Sequence, residues 1–283
     1  FHVRSGSGLG GAITYARKRG MCVVVDHSIA HPAFMERMLA PEYARAGLAF
    51  NMGQQSAFWQ GVMADCNAAD ILLVKSDFVR QTFVDAGYQA DKIRVIYTGV
   101  RSDFLGLKTQ YARTAPDAPL QILFTGGFTL RKGATYILDA LGRLDAEGFR
   151  FTLTVVGDSR EGRALLPDGE VPAWLHLVNT MPQDELKHFL QSADIYLFPS
   201  LCEGCASSGM EAMAAGLPIT SGVNGLLVEA RDVRQVVDAV RQLAADATLR
   251  QQLGSNAAKL IASQYTWDRY AQQVTALYQS LTQ

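Results

Sequence analysis

Short apolar runs rich in β-branched residues alternate with helix-forming stretches along most of this 283-residue chain, and that alternation limits its fold more than any other feature. Residues 21–26 (MCVVVD), 71–76 (ILLVKS) and 93–97 (IRVIY) are apolar on both faces and too short for helices, the pattern of buried parallel strands. Residues 55–68 and 77–86 read as helices between them, the second opened by Ser76 as N-cap and stopped by Gly87. Residues 101–119 break the rhythm: they are polar, aperiodic and end with two prolines, as an interdomain linker would. The rhythm then restarts, with strands predicted at 121–125, 151–156, 175–178 and 195–198. Helices are predicted at 133–147, 184–192, 207–215, 232–245 and 249–263, and a last amphipathic one from Trp267 to the end.

Strand–helix alternation at this spacing implies an α/β fold with parallel sheets covered on both faces. Two such blocks predict two Rossmann-like domains, over residues 1–100 and 120–265, with the linker at 101–119 and a terminal helix at 266–283. Sheets of this kind bind ligands beyond the carboxyl ends of their strands.

Composition narrows the function. With 48% hydrophobic and 19% charged residues the chain is globular, not disordered. A net charge of −1 argues against a nucleic-acid partner. No apolar run is long enough to span a bilayer, and the opening FHVRSGSGLGG lacks the pattern of a signal peptide, although peripheral membrane contact stays open. The four cysteines are Cys22, Cys66, Cys202 and Cys205. The last two form a CxxC without a second pair, so neither a zinc site nor another metal is expected. Cys22, within an apolar run, reads as a buried filler. Free thiols suit a reducing compartment, and the expected location is the cytoplasm.

Two segments carry candidate chemistry. In residues 124–133 (FTGGFTLRKG) a strand enters a turn with Gly126 and Gly127, then Arg131 and Lys132, then a helix. Glycines let main chain approach a ligand, and a helix N-terminus with a lysine attracts phosphate. A plain tight turn with two solvated basic side chains explains the same residues. In residues 199–218 (PSLCEGCASSGMEAMAAGLP) Glu203 lies in a strand–helix loop and Glu211 eight positions on, in a helix beginning near Ala206 or Ser207. Carboxylates beside an anion site suit a sugar nucleotide, whose paired hydroxyls they can bind. Glu211 sits among small residues of a closely packed helix, so its carboxylate needs a partner.

Glu203 and Glu211 match the E-x7-E motif within the frame PSxxEGxxxxxxEAMAxGLP, the TGGFTLRKG turn resembles a GxxxxxKG phosphate turn, and residues 69–100 look like a segment closing an N-terminal domain. Together they resemble glycosyltransferase family four. The resemblance implies the GT-B architecture, two Rossmann-like domains facing across a cleft. It also implies retaining transfer of a sugar from a nucleoside-diphosphate sugar to an acceptor hydroxyl, in polysaccharide or glycoconjugate synthesis. The donor is a substrate, no cofactor is implied, and the acceptor would be a saccharide or lipid-linked. By the same resemblance Lys132, helped by Arg131 and the turn of Gly126 and Gly127, contacts the diphosphate. The loop Gly204, Cys205, Ala206, Ser207 and Ser208 gives it backbone donors, Glu203 holds the transferred sugar, and Glu211 holds the ribose. His27 matches a strand-end histidine lining the donor-sugar pocket, with His31 the weaker choice; either also reads as a structural histidine. Lys132, Glu203 and His27 are thus the expected catalytic residues, and the terminal helix would cross back to the first domain.

The chain departs from the family where many relatives carry a basic residue close after the first glycine of the phosphate turn; here that residue is Gly127. The first domain lacks the early strands and glycine-rich loop of the family, and residues 217–228 join two elements that relatives separate by a loop. Residues are therefore expected to be missing from this sequence. The alternatives are a catalytically silent sugar-nucleotide-binding subunit, kept open by Gly127, and a GT-B sugar-nucleotide epimerase, ranked low because the E-x7-E frame is present.

Overall fold

A computed structural model of the chain describes residues 1–8, 11–112, 118–219 and 225–282. It divides into two compact units: Phe1–Gly99 with Cys202–Cys205 and Trp267–Gln283, and Val100–Leu201 with Ala206–Thr266.

The first unit runs β1 (His2–Arg4), α1 (Ala12–Lys18), β2 (Val24–His27), α2 (Pro32–Arg45), α3 (Ala57–Asn67), β3 (Ile71–Val74), α4 (Asp77–Asp85) and β4 (Ile93–Val95). Its four described strands are parallel and lie in chain order, β1-β2-β3-β4. Alternate residues bury opposite faces, which is why the strands read as continuous apolar runs. Val25, Leu72 and Val74 pack with Val79 and Phe83 on one side. Val24, Ile71 and Leu73 pack on the other with Leu277, Tyr270 and Val274 of the C-terminal helix, Trp267–Leu281. Lys75 pins that helix: its Nζ donates to Asp26 Oδ2 at 2.7 Å and to the Tyr270 hydroxyl at 3.2 Å.

Ser76 caps α4 as expected, its Oγ accepting from Val79 N at 3.2 Å, and Gly87 follows the helix with φ of 94°. One expectation needs correction, and one helix had no counterpart among the predicted elements. The run at 21–26 enters the sheet only at Val24, where pairing with Ile71 begins, so Cys22 is half-buried ahead of the strand and no core filler. Residues 32–45 form a helix despite Pro32 and Pro41: Pro32 occupies the first turn, where no N–H is needed, and Pro41 forfeits only one bond within the helix.

The second unit runs β5 (Leu120–Thr125), α5 (Ala134–Ala146), β6 (Phe151–Val156), α6 (Arg160–Ala164), β7 (Leu175–Val178), α7 (Gln183–Ser192), β8 (Ile195–Tyr196), α8 (Ser207–Ala215), α9 (Val233–Ala245) and α10 (Ala247–Gln264); the C-terminal helix is then α11. Leu120, Ile122 and Phe124 of β5 face Ile137, Ala140 and Leu144 of α5 and Val236 and Val240 of α9. Leu123 and Tyr196 face Ala212 and Ala215 of α8. Of the residues read as a linker, Phe104 is wholly buried in this second cluster, and Lys108 donates to the carbonyl of Ala193.

The strand predicted at 195–198 is shorter than expected. Pairing with β5 covers Ile195 and Tyr196, Leu197 N still donates to Leu123 O at 3.0 Å, and Pro199 then ends it. No strand forms over Leu217–Ile219, although Pro218 O accepts from Tyr196 N at 3.2 Å. Thr220, Ser221 and Asn224, where residues were expected to be missing, lie outside the described residues.

The second sheet is parallel with order β7-β6-β5-β8. The chain therefore moves from β5 outward to β7, then returns to the other side of β5 for β8. The helices that follow β5 and β8, α5 and α8, pack against opposite faces of β5, and such a reversal of strand order is where sheets of this kind form a ligand crevice at the carboxyl ends of the strands.

Candidate functional site

The loop following β5 is the glycine turn singled out in the sequence. Gly126 has φ of 103°, and a Cβ there would lie 2.8 Å from Lys132 Nζ, so only glycine leaves the ammonium its place. Gly133, with φ of 83°, caps α5, and any side chain on it would overlap the carbonyl of Pro199 in the loop after β8. The two loops are joined further by their main chains. Leu201 N and Ser200 Oγ both donate to Arg131 O, at 2.9 and 3.2 Å. Lys132 is half-buried, not solvent-facing as its place after a turn suggests, because its Nζ lies 5.6 Å from the centre of the Phe198 ring.

Helix α8 starts at Ser207 with Ala206 as N-cap and no side-chain cap. The first N–H groups of any helix lack intrahelical acceptors, so those of Ser207, Ser208 and Gly209 are available to an anion. Glu211 projects from the next turn of α8, and Gln183 Nε2 donates to its Oε1 at 3.2 Å. Burial raises its carboxyl above the usual range, while the charges of Arg101 and Lys132 pull it back. Lys132 and Glu211 thus act on one another electrostatically at the β5/β8 crevice. Beneath it, Tyr196 bonds Thr125 Oγ1 at 2.9 Å, and burial pushes its phenol up to about 12, so it is a neutral support. A cavity of about 120 Å³ adjoins the loops, lined by Tyr136, Phe198, Pro199, Ser200, Leu227 and Arg231.

His27, Glu203, Gly204 and Cys205 belong to the first unit. Glu203 is half-buried. Gly204 beside it packs so closely on the carbonyl of Ser28 that a Cβ would overlap it, and its own carbonyl accepts from Ser76 Oγ at 2.6 Å. The glutamate loop is thereby held next to the end of β2, where His27 sits. Cys205 Sγ lies 3.3 Å from Thr98 Oγ1. His27 is 2% exposed, with Nδ1 bonded to Ser5 Oγ at 2.8 Å and Nε2 buried without a hydrogen-bond partner. Burial lowers its pKa to about 4, so the imidazole is neutral at pH 7. His31 has a structural task, capping α2 by accepting from Ala33 N at 3.1 Å.

A larger cavity, about 300 Å³, lies in the first unit against Cys66, Asn67, Tyr88 and Lys92. It sits where β4 starts, away from the carboxyl ends where such sheets bind ligands. Burial pushes the Cys66 thiol there to about 12, which leaves it unreactive. Among the described residues no group of three or more His, Cys, Asp or Glu is placed to hold a metal ion, and no helix is long and apolar enough to cross a membrane.

Two site features escaped the sequence. Gln183 and Arg101 reach Glu211's surroundings from other elements, and only the burial expected of Glu211 hinted that some partner existed.

Residues 119–246 match the family model of glycosyl transferases group 1. The amylovoran biosynthesis glycosyltransferase AmsK of Erwinia amylovora is 33% identical over 161 residues, 54% of this chain and 39% of that protein. The chain thus spans about two fifths of that relative's length. Among solved structures, sucrose-phosphate synthase from Thermosynechococcus elongatus aligns with a TM-score of 0.77 at 19% identity, over 99% of this chain and 73% of that one. Anabaena HepE, solved in complex with UDP and glucose, aligns with a TM-score of 0.72 at 15% identity, over 99% and 78%. The chain has the two-part α/β fold of the GT-B glycosyltransferases, and its residues 119–246 carry the sequence pattern of group 1.

Proposed function

We propose that the protein is a group 1 glycosyltransferase acting in polysaccharide or glycoconjugate synthesis. It takes a nucleoside-diphosphate sugar and transfers the sugar, with retention, to the hydroxyl of a saccharide or lipid-linked acceptor. The observation that carries this reading is the reversal of strand order at β5 and β8, where the turn bearing Lys132 is joined by Leu201 N on Arg131 O to the loop that leads to α8 and Glu211. An ammonium, the α8 N-terminus and a carboxylate together match a diphosphate joined to a hydroxyl-bearing ribose.

In this reading Lys132, Arg131 and the N–H groups of Ser207 and Ser208 stabilise the leaving diphosphate, whose charge grows as the glycosidic bond breaks. Gly126 and Gly127 let the main chain come close. Glu211 accepts hydrogen bonds from ribose hydroxyls. Glu203, with Gly204, Cys205 and Ala206, addresses the transferred sugar, and His27 lines its pocket as a neutral imidazole. The diphosphate charge is met without a metal, and the protein works in the cytoplasm. HepE, a fold neighbour, was solved with UDP and glucose, which supports a nucleotide-sugar donor.

The test is mass spectrometry of products after the full chain is offered a panel of nucleotide sugars with and without cell extract. Extract-dependent transfer of a hexose, unaffected by EDTA, is expected. Nucleotide binding without transfer or hydrolysis indicates the silent subunit, and activity restored only by magnesium or manganese overturns the metal-free assignment.

A further inference from the structure

Glu211 is held through a neutral amide. Gln183, the first residue of α7, gives its Nε2 to Glu211 Oε1 at 3.2 Å and takes Arg101 Nη1 on its Oε1 at 2.8 Å. The direction of the amide is forced: a guanidinium can only donate and a carboxylate can only accept, so the oxygen must face Arg101 and the NH2 must face Glu211. Arg101 is itself fixed, its Nε donating to Asp103 Oδ1 at 3.1 Å. Asp103 also receives Lys187 Nζ at 2.6 Å, and that ammonium bonds Asp184 at 2.8 Å. The chain Lys187–Asp103–Arg101–Gln183–Glu211 thus ends on the carboxylate through a neutral amide. A direct Arg–Glu pair would commonly be bidentate and would occupy both carboxylate oxygens.

We propose that Gln183 is a positioning residue for Glu211: its amide bridges Arg101 to Oε1, orients the carboxylate and leaves the second oxygen for a ligand hydroxyl. The role of Glu211 toward the donor rests on the function proposed above; the bridge itself does not. The charged and titratable groups that act on Glu211 are Arg101 and Lys132, and Tyr196 is the phenol that feels its charge. Burial favours the protonated acid, so a donated hydrogen bond to the ionised form has work to do here.

The experiment follows the Glu211 carboxyl carbon by NMR titration in the full chain, for wild type, Gln183→Met and Gln183→Glu. Gln183 is exposed, so neither change opens the core, and thermal unfolding confirms the fold. Gln183→Met removes the donor and should move the Glu211 midpoint upward. Gln183→Glu keeps an acceptor for Arg101 but sets a second carboxylate beside Glu211, and should move it further. An unmoved midpoint in both folded variants overturns the bridge. In parallel, UDP, GDP and ADP are titrated at pH 7. Gln183→Met should weaken the bound nucleotide by roughly three- to tenfold, the worth of one hydrogen bond. If wild type binds none of the three, the donor-site reading falls and the carboxyl titration alone decides the bridge. If the midpoint moves while nucleotide affinity does not, positioning for the ligand is overturned.

Discussion

Gly133 and Pro199 meet main chain against main chain: the α5 cap approaches the carbonyl of Pro199 so closely that a methyl group on Gly133 would overlap it. This contact sets the spacing of the two loops that form the crevice, and Leu201 N on Arg131 O reinforces it.

Gly133→Ala is therefore expected to destabilise the protein by about 2–4 kcal/mol. Roughly 1–2 kcal/mol comes from a side chain at positive φ and the rest from overpacking against a backbone that cannot rotate away. Denaturant unfolding measures it. Gly142→Ala, in α5 with open space around it, is the control and should be neutral or stabilising; a Gly133→Ala that behaves the same way would show that the loops separate freely.

Lys132→Ala should lower kcat/KM by roughly 1.5–3 kcal/mol, about tenfold to more than a hundredfold, the loss of a charge-assisted bond to phosphate. Stability should fall by less than about 1 kcal/mol, since Lys132 is half-buried and its truncation loosens the contact with the Phe198 ring without opening the core. Initial rates and unfolding on the same preparation separate the two, and unchanged kinetics would remove the turn from the phosphate site.

How far the molecule was legible in advance depended on the range of the forces involved. Strands 151–156 and 175–178 and helix 207–215 form where predicted, because β-branched apolar runs and small-residue packing are local signals. Ser76 capped its helix for the same reason. Helix α2 was not assigned: its prolines oppose helix locally, and burial of Met35, Leu39 and Tyr43 outweighs them. The glycine turn and the E-x7-E frame were visible as strings. That the glycine turn meets Pro199 and Leu201 required the strand order, which no local pattern encodes. The Gln183–Glu211 bond joins residues 28 apart, and nothing in the spacing of a helix or strand connects them.

His27 should make the protein acid-sensitive. Its folded pKa is about 4 against about 6.5 for a solvated imidazole in the unfolded chain, so the unfolded chain takes up the proton first. Its contribution is fully present above pH 6.5 and is lost as pH falls toward about 4, on the order of 3 kcal/mol in all. Unfolding free energies of wild type and His27→Gln at pH 7 and pH 4.5 test this. Wild type should lose more stability between the two pH values than the variant does. Equal losses would mean that the imidazole is not buried in its neutral form.

The two glutamates should fail in different ways. Glu203, in the loop held at Ser28, is assigned to the reacting sugar, and Glu211, a turn into α8, to the ribose. Contacts to the reacting sugar count most in the transition state, whereas contacts to the ribose count in both states. Glu203→Gln should therefore lower kcat strongly and leave affinity for the free nucleoside diphosphate nearly unchanged. Glu211→Gln should weaken that affinity. In wild type the same affinity should fall in acid, since protonation removes an acceptor, and the fall should begin above the usual carboxylate range because burial raises this group. The stability of the unliganded protein responds with the opposite sign. A raised folded pKa means that Glu211's contribution is most favourable below its unfolded value and is lost as pH rises through the folded one. Calorimetry with the nucleoside diphosphate across pH, alongside initial rates, decides. Loss of nucleotide binding in Glu203→Gln but not in Glu211→Gln would reverse the two assignments, and normal behaviour of both would end the E-x7-E reading.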